Sequence, residues 1–155
     1  MKISSEELAS FLKEATRSTY ASGDASKVAS IRFGSEDYHF EKDNLIYHDT
    51  FFGSKDFIGE EVVYKENEPV WAMNYCGHIF DPSVDKDEIY SFLRKALVQD
   101  YSDMIPVRGP KEYIDGEWRY VNIPTGSLDR FIGKEEIYFS EALFYQGHYH
   151  GGLID

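Results

Sequence analysis

The chain has 155 residues and a formal net charge of −12, with 28 acidic against 16 basic side chains. This charge repels phosphate backbones, so the sequence predicts no direct binding of nucleic acid. One cysteine excludes an internal disulfide, and the charged N-terminus lacks the apolar run of a signal peptide or a membrane span. The prediction is a cytoplasmic single domain over residues 1–155, with no cofactor and no membrane partner.

The N-terminal segment is typical of a helix. Ser4-Ser5-Glu6-Glu7 has the spacing of a capping box, and its two acidic residues suit the first turn of a helix. Apolar residues then recur at helical spacing. The pattern predicts a helix over residues 5–17 with an apolar stripe of Leu8, Phe11, Leu12 and Ala15.

Short strands separated by turn residues come next. Their predicted ranges are 27–33, 37–42, 45–52, 60–65 and 70–76. Helical spacing returns over residues 85–99, and the later strands are predicted over 112–114, 118–123, 131–133, 136–139 and 142–149. The fold class is therefore predicted to be α+β, with a curved antiparallel sheet of meanders and hairpins packed against two helices.

The stretch over residues 60–77 reads as the central hairpin of this sheet, and its register is open. A four-residue loop sets Glu60 opposite Tyr75, whereas a two-residue loop sets Glu60 opposite Asn74. Because side chains alternate along a strand, the register decides whether Glu60 or Glu61 enters the apolar face with Trp71. One carboxylate lies near aromatic rings in either case, which is a combination that binds cations. The alternative is a carboxylate in water at the outer end of the strand.

Other polar residues carry weaker signals. His148 and His150 point the same way on a strand, which makes half of a metal site, but no HExxH or Cys/His spacing completes it, so no metal is predicted. Arg108 could present its guanidinium to a carboxylate or phosphate of a ligand, or it could pair with an internal acid. The sequence contains neither a phosphate-binding glycine loop nor a nucleophile elbow.

Four stretches together resemble one family: FLKEATRSTYASG (11–23), GEEVVYKENEPVWAMNYCG (59–77), RGPKEY (108–113) and YHGGLI (149–154). They are similar to an uncharacterised bacterial domain of unknown function that occurs alone or behind an XRE-type helix-turn-helix. The resemblance implies no established activity, cofactor or catalytic residue. The motif positions present in this chain are Thr19, Tyr20, Gly59, Glu60, Glu61, Trp71, Asn74, Tyr75, Gly77, Arg108, Gly109, Pro110, Tyr113, His150, Gly151 and Gly152.

The leading functional hypothesis is a ligand-sensing or regulatory domain that binds a small molecule, cationic or aromatic. Its candidate ligand-binding residues are Tyr20, Glu60, Glu61, Trp71, Asn74, Tyr75, Arg108, Tyr113 and His150. One alternative is a small hydrolase or lyase that uses His150 with Glu60, Glu61 or Asp49, and Arg108 as an anion clamp. Another is a dimerising module that forms a homodimer and has no ligand. The sequence leaves open whether the chain is an enzyme.

Overall fold

The computed structural model describes residues 3–19, 27–81, 83–100, 105 and 107–155, and the description below concerns these residues. The elements are α1 (Ser5–Ser18), β1 (Lys27–Val28), β2 (Glu36–Lys42), β3 (Leu45–Gly53), β4 (Asp56–Lys65), β5 (Glu68–Ile79), α2 (Lys86–Leu97), β6 (Glu112–Asp115), β7 (Trp118–Ser127), β8 (Arg130–Phe139) and β9 (Ala142–Leu153). The predicted α+β class is confirmed. Neither helix in these ranges is long and apolar enough to cross a membrane.

All nine strands belong to one antiparallel sheet, in the order β1-β2-β3-β4-β5-β9-β8-β7-β6. Strands β1 to β5 form one meander and β6 to β9 form another. The two meanders meet where β5 pairs with β9, from Trp71↔Leu153 to Ile79↔Tyr145. The hairpin of β4 and β5 therefore lies in the middle of the sheet, as the sequence predicts.

The register of this hairpin places Glu60 opposite Asn74 and Glu61 opposite Met73. A two-residue turn joins the strands, and its residues Glu66 and Asn67 have φ values of 53° and 67°. Such left-handed pairs suit the right-handed twist of a hairpin. The register then shifts between Val63 and Tyr64. The extra residue is Val70 of β5, which has no partner in this register, so Val70 and Trp71 are both buried. The side chains of β4 alternate regularly, and Glu61, not Glu60, is on the buried face with Val63.

The sheet has two unlike faces. We call the face that carries the buried side chains of Tyr47, Glu61, Met73 and Tyr149 the inner face, and the opposite one the outer face. Two hydrophobic clusters form on the inner side. The first joins the apolar stripe of α1 to residues such as Tyr47 and Met73, and the second joins buried residues of α2 to strands β5, β7, β8 and β9.

Three predicted elements differ from the structure. The first strand covers only Lys27–Val28, because the following loop is held differently: the Ile31 N–H donates to Asp37 Oδ2 at 3.0 Å. The two short strands over 131–133 and 136–139 are one strand, β8. Pro124, which follows the predicted strand over 118–123, is within β7. A proline is tolerated there because β6 pairs with β7 only as far as Val121, which leaves that side of Pro124 at the sheet edge.

Candidate functional site

A cavity of about 260 Å³ lies between the two helices and the inner face of strands β2 to β5. Its volume is just below the range of about 300–1,000 Å³ that is common for small-molecule sites. The lining combines carboxylates, hydroxyls and aromatic rings from the sheet with polar and basic side chains from the helices. The sheet side includes Tyr38, Tyr47, Asp49, Phe51, Phe57, Glu61 and Tyr75.

Asp49 and Glu61 are the two carboxylates deepest in this lining. They are cross-strand partners on β3 and β4, and only 3% and 7% of their surfaces are exposed. The alternation of β3 buries Tyr47 and Asp49 on the same face. Because directly opposed side chains have Cβ atoms about 4.5–5.5 Å apart, the two carboxyl groups share one small volume.

Burial raises the pKa of both carboxyl groups. The pKa of Asp49 rises to about 7, even though the Tyr75 hydroxyl donates to its Oδ1 at 2.7 Å and the positive charge of Arg108 opposes the shift. Burial raises the pKa of Glu61 to about 8, and the charge of Asp49 adds to this rise while Arg108 again opposes it. The pair therefore retains protons near neutral pH.

Arg108 lies beside the cavity but is held by another acid. Its Nε donates to Glu135 Oε2 at 3.0 Å, and the exposed fractions of the two side chains are 9% and 2%. The hydroxyls of Tyr120 and Tyr145 also donate to Glu135, at 2.8 and 2.9 Å. The guanidinium carbon is 5.7 Å from the centre of the Tyr75 ring. Since Glu135 compensates Arg108, an ionised Asp49–Glu61 pair makes the sheet side of the cavity negative.

Gly59 makes room for the tyrosine that contacts Asp49. A Cβ atom at Gly59 would lie 2.3 Å from Cζ and 2.4 Å from Oη of Tyr75. The two residues are cross-strand partners, so the ring of Tyr75 lies over the backbone of β4. A glycine inside a strand commonly marks such a close approach.

We therefore expect Gly59→Ala to displace the Tyr75 ring and to lower the free energy of unfolding by about 1–3 kcal/mol. Urea denaturation of the variant measures this loss. The neighbouring Ile58 is 67% exposed on the outer face, so Ile58→Ala is the matched control and should cost less than about 1 kcal/mol. Equal losses in the two variants would mean that the Tyr75 ring is not held against Gly59.

Three of the nine sequence-predicted residues line the cavity: Glu61, Tyr75 and Arg108. Glu60, Asn74 and His150 instead form one row across the outer face, since Asn74 pairs with Glu60 on one side and His150 on the other. On that face Glu60 is 3.6 Å from the Arg32 guanidinium.

Trp71 and Tyr113 pack in the hydrophobic clusters. The Trp71 indole is fully buried and donates to the carbonyl of Leu128 at 3.2 Å, while Tyr113 stacks on Phe92 with ring centres 5.6 Å apart. Tyr20, the ninth candidate, lies outside the described residues.

The alternative hypothesis of an enzyme requires His150, Arg108 and an acidic residue to come together. His150 points away from the face that carries Glu61 and Arg108, so these three residues do not converge. His148 and His150 are both exposed. Within the described ranges, no group of three or more His, Cys, Asp or Glu side chains is placed to hold a metal ion.

Several residues that line the cavity are not among the candidates predicted from the sequence. The pattern Tyr47-His48-Asp49-Thr50-Phe51 carries a usable signal, because strict alternation sets one acid between two aromatic side chains on the same face. Asp49 enters the sequence-based hypotheses only as an alternative partner of His150. Phe57 and Tyr90, which also line the cavity, carry no comparable local signal, and neither does Glu135, which holds Arg108 beside it.

A family model described as Domain of unknown function (DUF5680) matches residues 49–154. The matched range begins at Asp49 and includes Glu61, Arg108 and Glu135, whereas α1 precedes it. No curated protein and no solved structure matches the chain.

Proposed function

The chain belongs to the family described as Domain of unknown function (DUF5680), and we propose that it binds a small organic cation in the cavity. The single observation that carries the proposal is the direct opposition of Asp49 and Glu61 inside an aromatic-lined cavity. Two carboxyl groups in this position cannot both ionise without a compensating charge, since burial and mutual repulsion oppose it. A cation placed between them supplies that charge.

The aromatic lining fits the same ligand class. Phe57 and Tyr75 meet edge to face with ring centres 6.0 Å apart, and Tyr90 of α2 packs against Phe57 at the same distance. All three rings line the cavity. Rings attract cations through the negative charge of their faces, and the attraction grows when water is excluded. Carboxylates with surrounding rings therefore favour an ammonium or guanidinium group over a neutral molecule.

We propose a regulatory role on the strength of what the sequence resemblance implies about related proteins. Bacterial members of the resembled family occur alone or behind an XRE-type helix-turn-helix. That arrangement supports a sensing domain whose occupancy is passed to a neighbouring module. The inference is an analogy between family members, because a fold alone does not define a function.

Choline is a suitable test ligand, because its charge does not change with pH. We expect choline to bind and its affinity to rise between about pH 6 and pH 8.5, since Asp49 and Glu61 must release protons to receive it. Isothermal titration calorimetry in buffers of different ionisation enthalpy measures both the affinity and the released protons. Glu61→Gln should weaken binding by at least about tenfold.

Glu60→Gln is the matched control, because Glu60 is the adjacent carboxylate on the outer face. This variant should bind choline as the unaltered protein does. Absence of binding by choline, cadaverine and agmatine at pH 8.5 would overturn the proposal and leave the carboxyl pair a purely structural feature.

A second candidate function is acid–base catalysis by the same pair. The observation that favours it is that two carboxyl groups with pKa values of about 7 and 8 face one cavity. Groups tuned near the working pH are effective proton donors and acceptors. Chemical change of a bound amine, followed by NMR and lost in Asp49→Asn, would favour catalysis over binding alone.

The proposal of a homodimer without a ligand rests on the sequence alone. It predicts no polar cavity, and a polar cavity lies against the inner face of the sheet. Sedimentation measurements of the molar mass test the dimer independently of the ligand.

A further inference from the structure

Charges are separated along the cavity. Its two buried carboxylates, Asp49 and Glu61, are on the sheet side. One face of helix α2 contributes basic side chains on the other side, because Lys86, Tyr90 and Arg94 are spaced four residues apart and all line the cavity. Lys86 and Arg94 are partly exposed, so they lie nearer the solvent than the two acids.

The other charged residues of the lining leave this separation in place. Lys27 forms an ion pair with Glu36, with 2.6 Å between Nζ and Oε2. Asp87 is exposed on the first turn of α2, where an acid suits the helix macrodipole. Arg108 is held by Glu135.

Lys86 is less easily explained by the stability of its helix. It is the first residue of α2, directly after the N-cap Asp85, and positive charge at a helix N-terminus opposes the macrodipole. Its side chain nevertheless lies in the cavity lining. A role in recognising a negative group accounts for a lysine at this position.

We infer that the ligand is a zwitterion whose cationic group contacts Asp49 and Glu61 and whose carboxylate or phosphate contacts Lys86 and Arg94. This inference rests on the proposed function, because the cationic end occupies the site already described. It adds the chemical class of the ligand and its orientation in the cavity. The cation points toward the sheet, and the anion points toward the face of α2.

Matched pairs of ligands test the inference. Choline and phosphocholine differ by a phosphate group, and cadaverine and lysine differ by a carboxylate. Calorimetric titration of the full chain with all four gives two affinity ratios. We expect at least one anion-bearing member to bind about tenfold more tightly than its parent amine, and the pair that shows the gain identifies phosphate or carboxylate as the anion.

Lys86→Met should remove most of that gain, whereas the affinity for the parent amine should not fall, because the variant removes a positive charge from the cavity that holds the cation. Lys95→Met is the matched control on the same helix, because Lys95 is exposed and pairs with Asp115 at 3.1 Å, away from the cavity. It should preserve both affinities.

The outcomes separate this inference from the proposed function. If the amines bind and neither zwitterion binds more tightly, the inference is wrong and cation binding stands. The same holds if a zwitterion gains affinity that Lys86→Met does not reduce. If none of the four compounds binds, the inference fails, and the proposed function fails with it if agmatine does not bind either.

Discussion

Replacement of Arg108 by methionine should lower the free energy of unfolding by about 3–5 kcal/mol, as expected when one partner of a buried ion pair is removed. Glu135 would remain buried without its cation, with the hydroxyls of Tyr120 and Tyr145 still donating to its carboxylate. Urea denaturation at pH 7 measures the loss. The effect would be larger than that of any exposed ion pair in the protein.

Two further variants make this result specific. Lys95→Met breaks a pair whose side chains are 57% and 51% exposed, so it should cost less than about 1 kcal/mol. Combining Arg108→Met with Glu135→Gln removes the uncompensated charge, so the double variant should be more stable than Arg108→Met alone. Similar losses for Arg108→Met and Lys95→Met would contradict a buried and energetically coupled pair.

The second prediction with a large expected effect is that the free energy of unfolding falls as the pH rises toward 8. Asp49 and Glu61 have pKa values of about 7 and 8 in the folded protein, whereas carboxyl groups in an unfolded chain titrate near about 4. The folded state therefore holds protons that the unfolded chain has released. Their contribution to stability is complete below about pH 4 and is lost as the pH rises through about 8.

Glu61→Gln should flatten this dependence and be the more stable protein at pH 8.5. One pKa unit corresponds to about 1.4 kcal/mol, so a slope of a few kcal/mol between pH 5.5 and pH 8.5 is expected in the unaltered protein. Urea denaturation across this range measures the slope. Asp37 and Glu136 do not interfere, because hydrogen bonds lower the pKa of each despite burial, and their stabilising effect is already complete above about pH 5.

Glu60→Gln again provides the control, since its carboxylate is on the outer face near Arg32. The slope in this variant should match that of the unaltered protein. An unchanged slope in Glu61→Gln would show that Glu61 is ionised in the folded state over the whole range. The same measurement with saturating choline should show a shallower slope, because binding replaces the lost protons with a cation.

Local patterns in the sequence were sufficient for much of the fold. Period-two alternation identifies the strands, and the capping signal with its apolar stripe identifies α1. The same alternation shows that Glu60 and Glu61 point to opposite faces. It does not show which face is buried, because residues that cover the inner face, such as those of α1, are far away in the sequence.

The composition of the candidate site was harder to predict, since it depends on contacts between distant segments. Arg108 and Glu135 are on a loop and a late strand, and nothing in either segment identifies the other as its partner. Asn74 belongs to the same motif stretch as Glu61, and His150 belongs to the stretch over residues 149–154, yet both are on the outer face. Consecutive motif residues on a strand therefore point to both faces of the sheet, and only the inner face lines the cavity.

The pairing of β5 with β9 affects how the chain folds during its synthesis. The first meander, β1 to β5, can pair locally as it leaves the ribosome, but the hydrogen-bonding edge of β5 stays open until β9 arrives. Strands that are far apart in sequence pair slowly, and an unpaired strand edge can form hydrogen bonds with other chains. In that interval Asp49 and Glu61 already face each other, while Glu135, which anchors Arg108, has yet to join the sheet. The nascent protein is therefore exposed to aggregation at β5 at the same stage at which its cavity is incomplete.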